Sequence, residues 1–406
     1  MQPPDQLRRF FQLSDRPIIL IGASVRAAAC SAGLAGFDVL GIDRFADSDT
    51  IDACSAFLTI EQADQLSDDD LDDLIPPGVP MLVVGGLLGD TTIIDRLKTR
   101  AHWMGRQEQA LDLLSQPETL ARIATRSRVP FPSYRLPSDR GGSLGQLPGR
   151  WLFKTQDSSG GLGVRWVDAD KDVDSDGYAQ RWVAGKPYGA VFVSNGEHDC
   201  VLIGVSRSLR KRMGDCPFVY AGSCGPVRLS AQNIAKLNSI ANLCVAETGY
   251  SGFLNIDVVI DQQGQMSLLE VNPRWSASVE VLEVPLLGTR FLKRGFKTLF
   301  GVMLTAIEGD ISKVSAKQIE ELAYETGRCY KRVVFARHEG RIDQTLMPRM
   351  GKFRWQFADV PQDDEQLFQK DDPICTVLLR SGSDRKFDWR RTKRLLAGVQ
   401  EAVVES

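Results

Sequence analysis

The chain has 406 residues, of which 43% are hydrophobic and 25% are charged, and its formal net charge is −3. This composition is typical of a soluble globular protein with two or three domains. The small negative charge argues against a general nucleic-acid-binding protein, because affinity for phosphate requires clustered Lys and Arg.

The eight cysteines form no CxxC pair and have no Cys/His ligand spacing, which argues against structural zinc. The chain starts MQPPDQLRRF, without the basic-then-apolar pattern of a signal peptide. No apolar run approaches the roughly 20 residues of a membrane span. We therefore expect a cytoplasmic protein that binds neither membranes nor nucleic acid.

Residues 17–43 have the pattern of a βαβ unit: an aliphatic strand at Ile18 to Ile21, a glycine turn, a helix, and a second strand that ends in Asp43. Asp43 lies near the spacing of the acidic residue in a dinucleotide site. However, Ser24 and Ala27 stand where the dinucleotide fingerprint requires glycines. The pattern predicts a Rossmann-like domain and leaves NAD binding as the weaker alternative.

A loop rich in Ser and Gly, Thr155 to Gly163, lies between two predicted strands. The backbone N–H groups of such a loop can surround phosphate oxygens, and Lys154 stands at the end of the strand that enters it. The loop is not a Walker A loop, because no Gly-Lys-Ser/Thr sequence ends it. An anion-binding loop and a mobile glycine hairpin are both consistent with this stretch taken alone.

The stretch Gly252 to Glu280, GFLNIDVVIDQQGQMSLLEVNPRWSASVE, predicts a β-hairpin around a turn at Asp261 to Gly264. One face then carries carboxylate and amide oxygens, which suit Mg²⁺. The plain alternative is the solvated face of an antiparallel sheet. The polar side chains on this face are Asn255, Asp257, Glu270 and Asn272.

The predicted register pairs Ile260 with Gln265 across the turn, because a four-residue loop separates them. Asn255 then lies opposite Glu270, and Asp257 lies opposite Leu268. In this register Leu269 belongs to the apolar face, whereas Met266 and Leu268 fall on the polar face.

The order of these motifs resembles the ATP-grasp superfamily of carboxylate–amine ligases. A Rossmann-like domain comes first, then a helix with a proline joint at Val129 to Pro132, Lys154 with its glycine loop, a hinge strand at Gln180 to Val183, and the hairpin that ends in Glu270 to Arg274. The EVNPR segment, with an Asp on its partner strand, is the most specific part. The C-terminal part and the EVNPRWSASVE form resemble predicted carboligases related to biotin carboxylase.

The resemblance implies an α/β (α+β) fold. It would comprise a Rossmann-like pre-ATP-grasp domain (1–113), a two-lobed ATP-grasp domain (114–310) and a small β-rich C-terminal lobe with a closing helix (324–406). Within the ATP-grasp domain, residues 114–190 would form the lid lobe and residues 191–310 the second lobe.

The resemblance also implies an activity: ATP-dependent activation of a carboxylate as an acyl phosphate, which is joined to an amine or similar nucleophile with release of ADP and phosphate. The cofactors would be ATP and two Mg²⁺ ions, which Mn²⁺ could replace. The partners would be small-molecule carboxylates and amines, and a homodimer is expected because such ligases are often dimers. Some members of the carboligase group occur with one-carbon carrier pathways, which points to cofactor biosynthesis.

Two alternatives to this activity stay open. One is a catalytically silent ATP-binding or regulatory protein on an ATP-grasp scaffold, and the other is an NAD-dependent enzyme. The first is motivated by departures from the family pattern. Pro187 stands where many members carry the ribose-binding Glu, and Gln116 and Pro117 stand where many carry a second phosphate-binding Lys. Arg122 is a candidate replacement for that Lys.

The resemblance assigns catalytic roles to Lys154, at the α- and β-phosphates, and to Arg274, at the acceptor carboxylate or acyl phosphate. Arg207 lies in a segment that resembles the acceptor side of the site and would hold an anionic substrate; a solvated surface charge is the alternative. The implied metal ligands are Asp257, Glu270 and Asn272. The implied nucleotide-binding residues are Lys154, Ser159, Gly160, Gly161, Gly163, Gln180, Arg181, Trp182, Val183 and Glu270.

Overall fold

The computed structural model describes residues 3–85, 92–105, 107–139, 149–156, 158–167, 175–197, 199–347, 355–362, 366–382 and 386–404. Asp157, one residue of the predicted glycine loop, lies outside these ranges.

A five-stranded parallel sheet forms the first domain. Its strands are β1 (Pro17–Gly22), β2 (Asp38–Asp43), β3 (Ala56–Thr59), β4 (Pro80–Val83) and β5 (His102–Trp103). They lie in the order β3-β2-β1-β4-β5. Four consecutive aliphatic residues of β1, Ile18 to Ile21, are fully buried, as expected for a parallel strand covered on both faces. The Rossmann-like architecture predicted from the βαβ pattern is present.

The described residues of this domain form six helices beside the sheet. They are α1 (Pro3–Leu13), α2 (Arg26–Ala35), α3 (Ser48–Asp52), α4 (Ile60–Asp64), α5 (Asp68–Leu74) and α6 (Thr92–Leu97). Small residues make α2 a close-packing helix, and it ends at Gly36, whose left-handed backbone closes the last turn. α5 begins with a capping box, in which Ser67 and Asp70 exchange side-chain and backbone hydrogen bonds.

Two helices follow, and then a small sheet that falls within the predicted lid lobe. Pro117 stands in the first turn of the second helix, where no backbone N–H is needed. We call this small sheet, with the glycine loop, the lid lobe. The elements are α7 (Gln107–Ser115), α8 (Pro117–Arg126), β6 (Tyr134–Arg135), β7 (Trp151–Thr155), β8 (Val164–Trp166) and β9 (Gly177–Arg181). The strands lie in the order β6-β9-β7-β8.

An eight-stranded sheet forms most of the remainder. The later strands are β10 (Lys186–Asn195), β11 (Cys200–Met213), β12 (Cys216–Gly225), β13 (Ser251–Ile260), β14 (Met266–Asn272), β15 (Cys329–Phe335), β16 (Gly340–Ile342), β17 (Trp355–Ala358), β18 (Leu367–Phe368), β19 (Pro373–Arg380) and β20 (Val403–Val404). The large sheet has the order β14-β13-β10-β11-β12-β15-β19-β17, and β18-β16-β20 form a small one. Three strands of the predicted C-terminal lobe therefore continue the sheet of the ATP-grasp-like part.

The helices of this second half cover the two faces of the large sheet. They are α9 (Ala231–Thr248), α10 (Ala277–Leu286), α11 (Leu299–Ile307), α12 (Ala316–Glu325) and α13 (Trp389–Glu401). A π-helical turn lies at Leu292–Phe296, and 3₁₀ turns lie at Ile311–Lys313 and Gln344–Leu346. Within the described ranges, every helix is too short or too polar to cross a membrane.

The hairpin of β13 and β14 forms as predicted, but the predicted register is wrong by one residue at the turn. Ile260 pairs with Met266 instead of Gln265. The turn is one residue longer because the Asp261 carboxylate accepts two backbone N–H groups and Gly264 adopts a left-handed conformation.

A bulge at Leu269 then changes the pairing a second time. Leu268 lies opposite Val258, and Glu270 lies opposite Asp257. Met266 and Leu268 are therefore core residues, contrary to the prediction that they share the polar face. Beyond the bulge the alternation reverses, so Glu270 returns to the face of Asp257.

A buried network of charges joins the first domain, α10 and the C-terminal strands. Arg26 pairs with Glu280 (Nη2–Oε1 2.7 Å) and with Asp359 (Nε–Oδ1 2.7 Å). Lys331 of β15 pairs with the other oxygen of Glu280 at 2.6 Å. Removal of one partner from such a pair costs about 3–5 kcal/mol, because the other charge stays buried. The network therefore fixes the first domain against the rest of the chain.

A second buried carboxylic acid, Glu283, lies one helical turn further along α10. Its Oε1 accepts hydrogen bonds from Ser31 Oγ and from the backbone N–H of Leu299, each at 2.7 Å. Burial raises the pKa of Glu283 to about 7. The folded protein therefore binds a proton here at pH values where the unfolded chain does not, so stability falls as the pH rises from about 4.5 through 7.

We expect Glu283→Gln to remove this pH dependence, because Gln keeps both hydrogen bonds without a charge. The stability of the variant minus that of wild type should be on the order of 2–3 kcal/mol larger at pH 8 than at pH 5. Urea denaturation of both proteins at the two pH values measures this, with Glu325→Gln on an exposed position of α12 as the control. An identical stability difference at pH 5 and pH 8 would contradict the assignment.

Candidate active site

The open end of the β13–β14 hairpin carries a cluster of oxygen and amide groups. Asp257 Oδ2 accepts hydrogen bonds from Asn255 Nδ2 at 2.9 Å and from Asn272 Nδ2 at 3.0 Å. Asn272 Nδ2 also lies 3.4 Å from Glu270 Oε1. The structure thus brings together all four polar side chains of the predicted face. We call this set the carboxylate patch (Asn255, Asp257, Glu270 and Asn272).

Lys154 reaches the carboxylate patch from the lid lobe. Its Nζ lies 3.2 Å from Glu270 Oε2 and 5.7 Å from the centre of the Tyr178 ring. Burial by itself lowers the pKa of Lys154, but Tyr178 and Glu270 outweigh burial and raise it. The lysine is therefore charged, and it links the two lobes.

The two carboxylates of the patch have opposite pKa shifts. Burial raises the pKa of Asp257 and the neighbouring charge of Glu270 raises it further. For Glu270, the effect of burial is outweighed by Lys154, which lowers its pKa. One carboxylate is thus compensated by a lysine, whereas the other has no cationic hydrogen-bond or ion-pair partner among the described residues.

The patch fits a hard divalent cation. Asn255 Oδ1 is buried without a hydrogen-bond partner in the described part of the chain. A Cβ on Gly189 would lie 3.0 Å from this oxygen and 3.2 Å from Asp257 Oδ1, so only glycine leaves this space open. No group of three or more His, Cys, Asp or Glu side chains that could by itself hold a metal ion occurs in the described ranges. Two carboxylates and amide oxygens suit Mg²⁺, which takes its other ligands from water and phosphates.

Two arginines border the patch. Arg274 follows β14, and a Cβ on Gly85 of the first domain would lie 3.7 Å from its Nε. Arg210 of β11 interacts electrostatically with both Asp257 and Glu270. Across the described ranges, neither guanidinium has a hydrogen-bond or ion-pair partner. Burial lowers the pKa of Arg274, and the two carboxylates partly offset this. Two guanidinium groups without such a partner in the described part of the chain therefore lie near the patch.

Arg207, which the sequence suggested for the anionic substrate, does not lie at the patch. Cross-strand neighbours share a face of a sheet, and Arg207, which is exposed, lies in one row with Tyr188 and Val258 on the face opposite Asp257. Ser206, its neighbour, occupies the row of Asp257. The sequence could not assign these faces, because the register of β11 against β10 depends on a bulge after Val191.

The glycine loop closes against β12. Gly160 accepts a hydrogen bond from the backbone N–H of Tyr220 at 2.7 Å. Gly161 has a left-handed backbone, and a Cβ there would lie 2.3 Å from the carbonyl oxygen of Phe218. Ser159 and Gly163 close the loop through their carbonyl oxygens, which accept from Leu162 and from Thr155.

The predicted hinge strand lies next to β7 at the back of the same cleft. Gln180 and Lys154 share one face of the small sheet. Gln180 pairs with Leu152 and Tyr178 pairs with Lys154, and residues two apart along a strand lie on the same face. Gln180 is 4% exposed, and its Nε2 has no partner in the described ranges. This buried amide is available to a bound group.

The backbone of the hinge is partly used within the protein. The N–H of Arg181 donates to Ser133 at 2.8 Å, and that of Trp182 donates to Arg150 at 2.8 Å. The carbonyl of Arg181 and the backbone of Val183 are not used by these two bonds, and the contact of Arg181 and Val183 with a base stays a prediction.

Two other predicted positions have different surroundings. Arg122 forms an ion pair with Glu247 on α9 and is half exposed, so it does not replace the second lysine of the family pattern. Asp43 is fully buried, and its carboxylate accepts backbone N–H groups from Val25, Phe45 and Ala46. Asp43 is thus not available to a ribose, which removes the main support for NAD binding.

Comparison with known proteins agrees with the resemblance stated from the sequence. Residues 119–278 match the family model described as an ATP-grasp domain. A D-alanine–D-alanine ligase of Ectopseudomonas mendocina (strain ymp) is 28% identical over 195 residues. The match covers 46% of this chain and 57% of the ligase, so the chain spans a little over half of that relative.

Solved structures share the fold over nearly the full length. The ADP complex of purK, an N5-carboxyaminoimidazole ribonucleotide synthetase, has a TM-score of 0.61 at 14% identity, and the match covers 95% of this chain and 97% of that one. The biotin carboxylase of Campylobacter jejuni has a TM-score of 0.63 at 14% identity, with 96% and 92% covered. The predicted α/β fold class is confirmed. Residues 119–278 match the ATP-grasp domain family, and the chain as a whole shares the fold of these two proteins.

Proposed function

We propose that the protein is an ADP-forming ligase that activates a carboxylate with ATP and joins it to an amine. The observation that carries this proposal is the contact between Lys154 and Glu270, which brings the lid lobe and the carboxylate patch to one point. The similar proteins include a D-alanine–D-alanine ligase and a ribonucleotide synthetase, which supports this class of reaction.

ATP would lie between the lid lobe and the large sheet. Gln180, the carbonyl of Arg181 and Val183 would hold the adenine, and the glycine loop would cover the phosphates through Ser159, Gly160, Gly161 and Gly163. Lys154 would contact the α- and β-phosphates. Asp257, Glu270 and Asn272 would hold two Mg²⁺ ions, which neutralise phosphate charge when bound.

Arg210 and Arg274 explain why the acid would react at this place. Both are unpaired cations beside the patch, and a carboxylate bound to them would lie close to the terminal phosphate. Phosphoryl transfer requires little covalent work from the protein, so positioning and neutralisation of charge dominate. We assign to Arg210 the role that the sequence suggested for Arg207.

The proposed reaction has two steps. A carboxylate oxygen attacks the γ-phosphorus, the bond to the bridging oxygen of ADP breaks, and ADP leaves with that electron pair. The amine nitrogen then attacks the acyl carbon, the carbon–oxygen bond to phosphate breaks, and phosphate leaves with its electron pair and can accept the proton that the nitrogen loses. The closed glycine loop would exclude water, which otherwise hydrolyses the acyl phosphate.

We expect Glu270→Gln to reduce ATP turnover by at least a hundredfold, since the patch loses the charge that Lys154 and a metal ion share. The fold should survive, because Glu270 is half exposed. Release of ADP and phosphate, measured over a panel of acids and amines, tests this, with the exposed Glu308→Gln as the control. Turnover at the wild-type rate in Glu270→Gln would contradict the assignment of Glu270 as a metal ligand.

The same panel separates the proposed ligase from a silent ATP-binding protein. Binding of Mg-ATP by the wild-type protein without ADP release for any pair of substrates would favour the silent protein, which the altered positions Gln116 and Pro187 motivate.

The two arginines of β11 provide a matched pair of variants on opposite faces of one strand. Arg210→Ala should lower kcat/KM for the acid roughly 10- to 100-fold, because a charged hydrogen bond to a carboxylate contributes about 1.5–3 kcal/mol. Arg207→Ala should leave kcat/KM within about twofold. Steady-state kinetics with the active acid measures both values, and a larger loss in Arg207→Ala would refute the assignment of faces.

A further inference from the structure

We propose that Phe218 is a positioning residue that couples closure of the glycine loop to the arginine that binds the acid. This inference rests on the proposed function of Arg210. Phe218 lies on β12 and contacts the lid lobe on one side and Arg210 on the other. The contact therefore transmits the state of the acid site to the loop that excludes water.

The contact with the lid lobe has three parts. The Phe218 ring packs edge-to-face against Trp166 of β8, with ring centres 5.7 Å apart. Its carbonyl oxygen occupies the space beside Gly161 that a side chain would need. Two residues further along β12, Tyr220 donates its backbone N–H to Gly160 at 2.7 Å. The loop is thus attached to β12 on both sides of its tip.

The contact with the acid site is a cation–π interaction. The guanidinium of Arg210 lies 5.4 Å from the centre of the Phe218 ring, and Arg210 also interacts electrostatically with Asp257 and Glu270. An anion on Arg210 would fix the orientation of this side chain. The Phe218 ring then packs between Trp166 of the lid lobe and an Arg210 side chain of fixed orientation. These two contacts favour the closed loop.

The stack continues from Trp166 to the hinge. Arg150 lies 3.6 Å from the centre of the Trp166 ring and 5.6 Å from that of Trp182, and the two indole rings are 5.9 Å apart. Trp182 belongs to the hinge strand predicted to bind adenine. One line of aromatic and cationic side chains therefore runs from the base site through Phe218 to the acid site.

Coupling of this kind would protect the acyl phosphate from hydrolysis. An acyl phosphate formed under an open loop is lost to water, whereas one formed under a closed loop survives until the amine attacks. If closure requires an occupied acid site, little ATP is consumed without product.

Hydrogen exchange tests the coupling directly. In Phe218→Leu, the backbone amides of residues 158–163 and of Tyr220 should exchange faster than in wild type, by up to about tenfold. The ring contact contributes about 1.4 kcal/mol or less beyond burial, and 1.4 kcal/mol is a tenfold change in an equilibrium. The measurement is made on the full chain, without nucleotide and with Mg-ADP. Phe218→Tyr, which keeps the ring, should restore the wild-type exchange.

Phe387→Leu is the matched control, because Phe387 is also half buried and packs against the aromatic rings of Tyr330 and Trp389 in the C-terminal part. Exchange at residues 158–163 that is equal in Phe218→Leu, Phe387→Leu and wild type would overturn the proposal. If Phe218→Leu fails to fold, Arg210→Gln decides: unchanged exchange at Tyr220 in that variant overturns the coupling, and faster exchange supports it.

The two proposals fail separately. Absence of ATP turnover for any pair of substrates refutes the ligase and leaves the exchange comparison in the nucleotide-free protein valid. Normal turnover with unchanged exchange in Phe218→Leu refutes only the coupling. In a coupled enzyme, Phe218→Leu should also release several phosphates per amide formed, a ratio that a merely structural role would not change.

Discussion

The site depends on one irregularity in the sheet, the bulge at Leu269. Regular alternation from Leu268 would place Glu270 in the core, whereas the bulge returns it to the face of Asp257. The two carboxylates then lie side by side, and the strands that carry them contain no Lys or Arg that could neutralise their charge. Lys154 pairs with Glu270 across the cleft, whereas the hydrogen-bond partners of Asp257 are the neutral amides of Asn255 and Asn272. The proposed metal binding and the contact between the lobes would then have the same electrostatic origin.

The position of Arg274, which borders the carboxylate patch, depends on the buried charge network of Arg26, Glu280 and Lys331. α10 begins three residues after Arg274, so an α10 that is clamped to the first domain also fixes this arginine. The backbone pairing of Gly85 with Trp275 adds a direct link to the end of β4. The first domain thus helps to hold the substrate side of the site in position. Its acidic residue Asp43, which lies near the spacing of a dinucleotide site, accepts hydrogen bonds from the backbone of its own domain.

The sequence predicted the α/β fold class and the hairpin, since each depends on local pattern or on a motif that physical chemistry restricts. It did not predict the register of the hairpin, because the carboxylate of Asp261 and the left-handed Gly264 lengthen the turn by a residue. It also could not choose between Arg207 and Arg210. That choice depends on how β11 pairs with β10 and β12, and these pairings contain three irregularities that no local pattern encodes.

The central claim is that a carboxylate is activated as an acyl phosphate beside the Asp257–Glu270 pair. Hydroxylamine intercepts acyl phosphates as stable hydroxamates, so incubation of the full chain with Mg-ATP, hydroxylamine and a panel of carboxylic acids tests the claim without knowledge of the amine. We predict that at least one acid yields hydroxamate in equal amount to ADP, and that Glu270→Gln yields none. ADP release without hydroxamate for every acid, or hydroxamate formation that survives Glu270→Gln, would contradict the account.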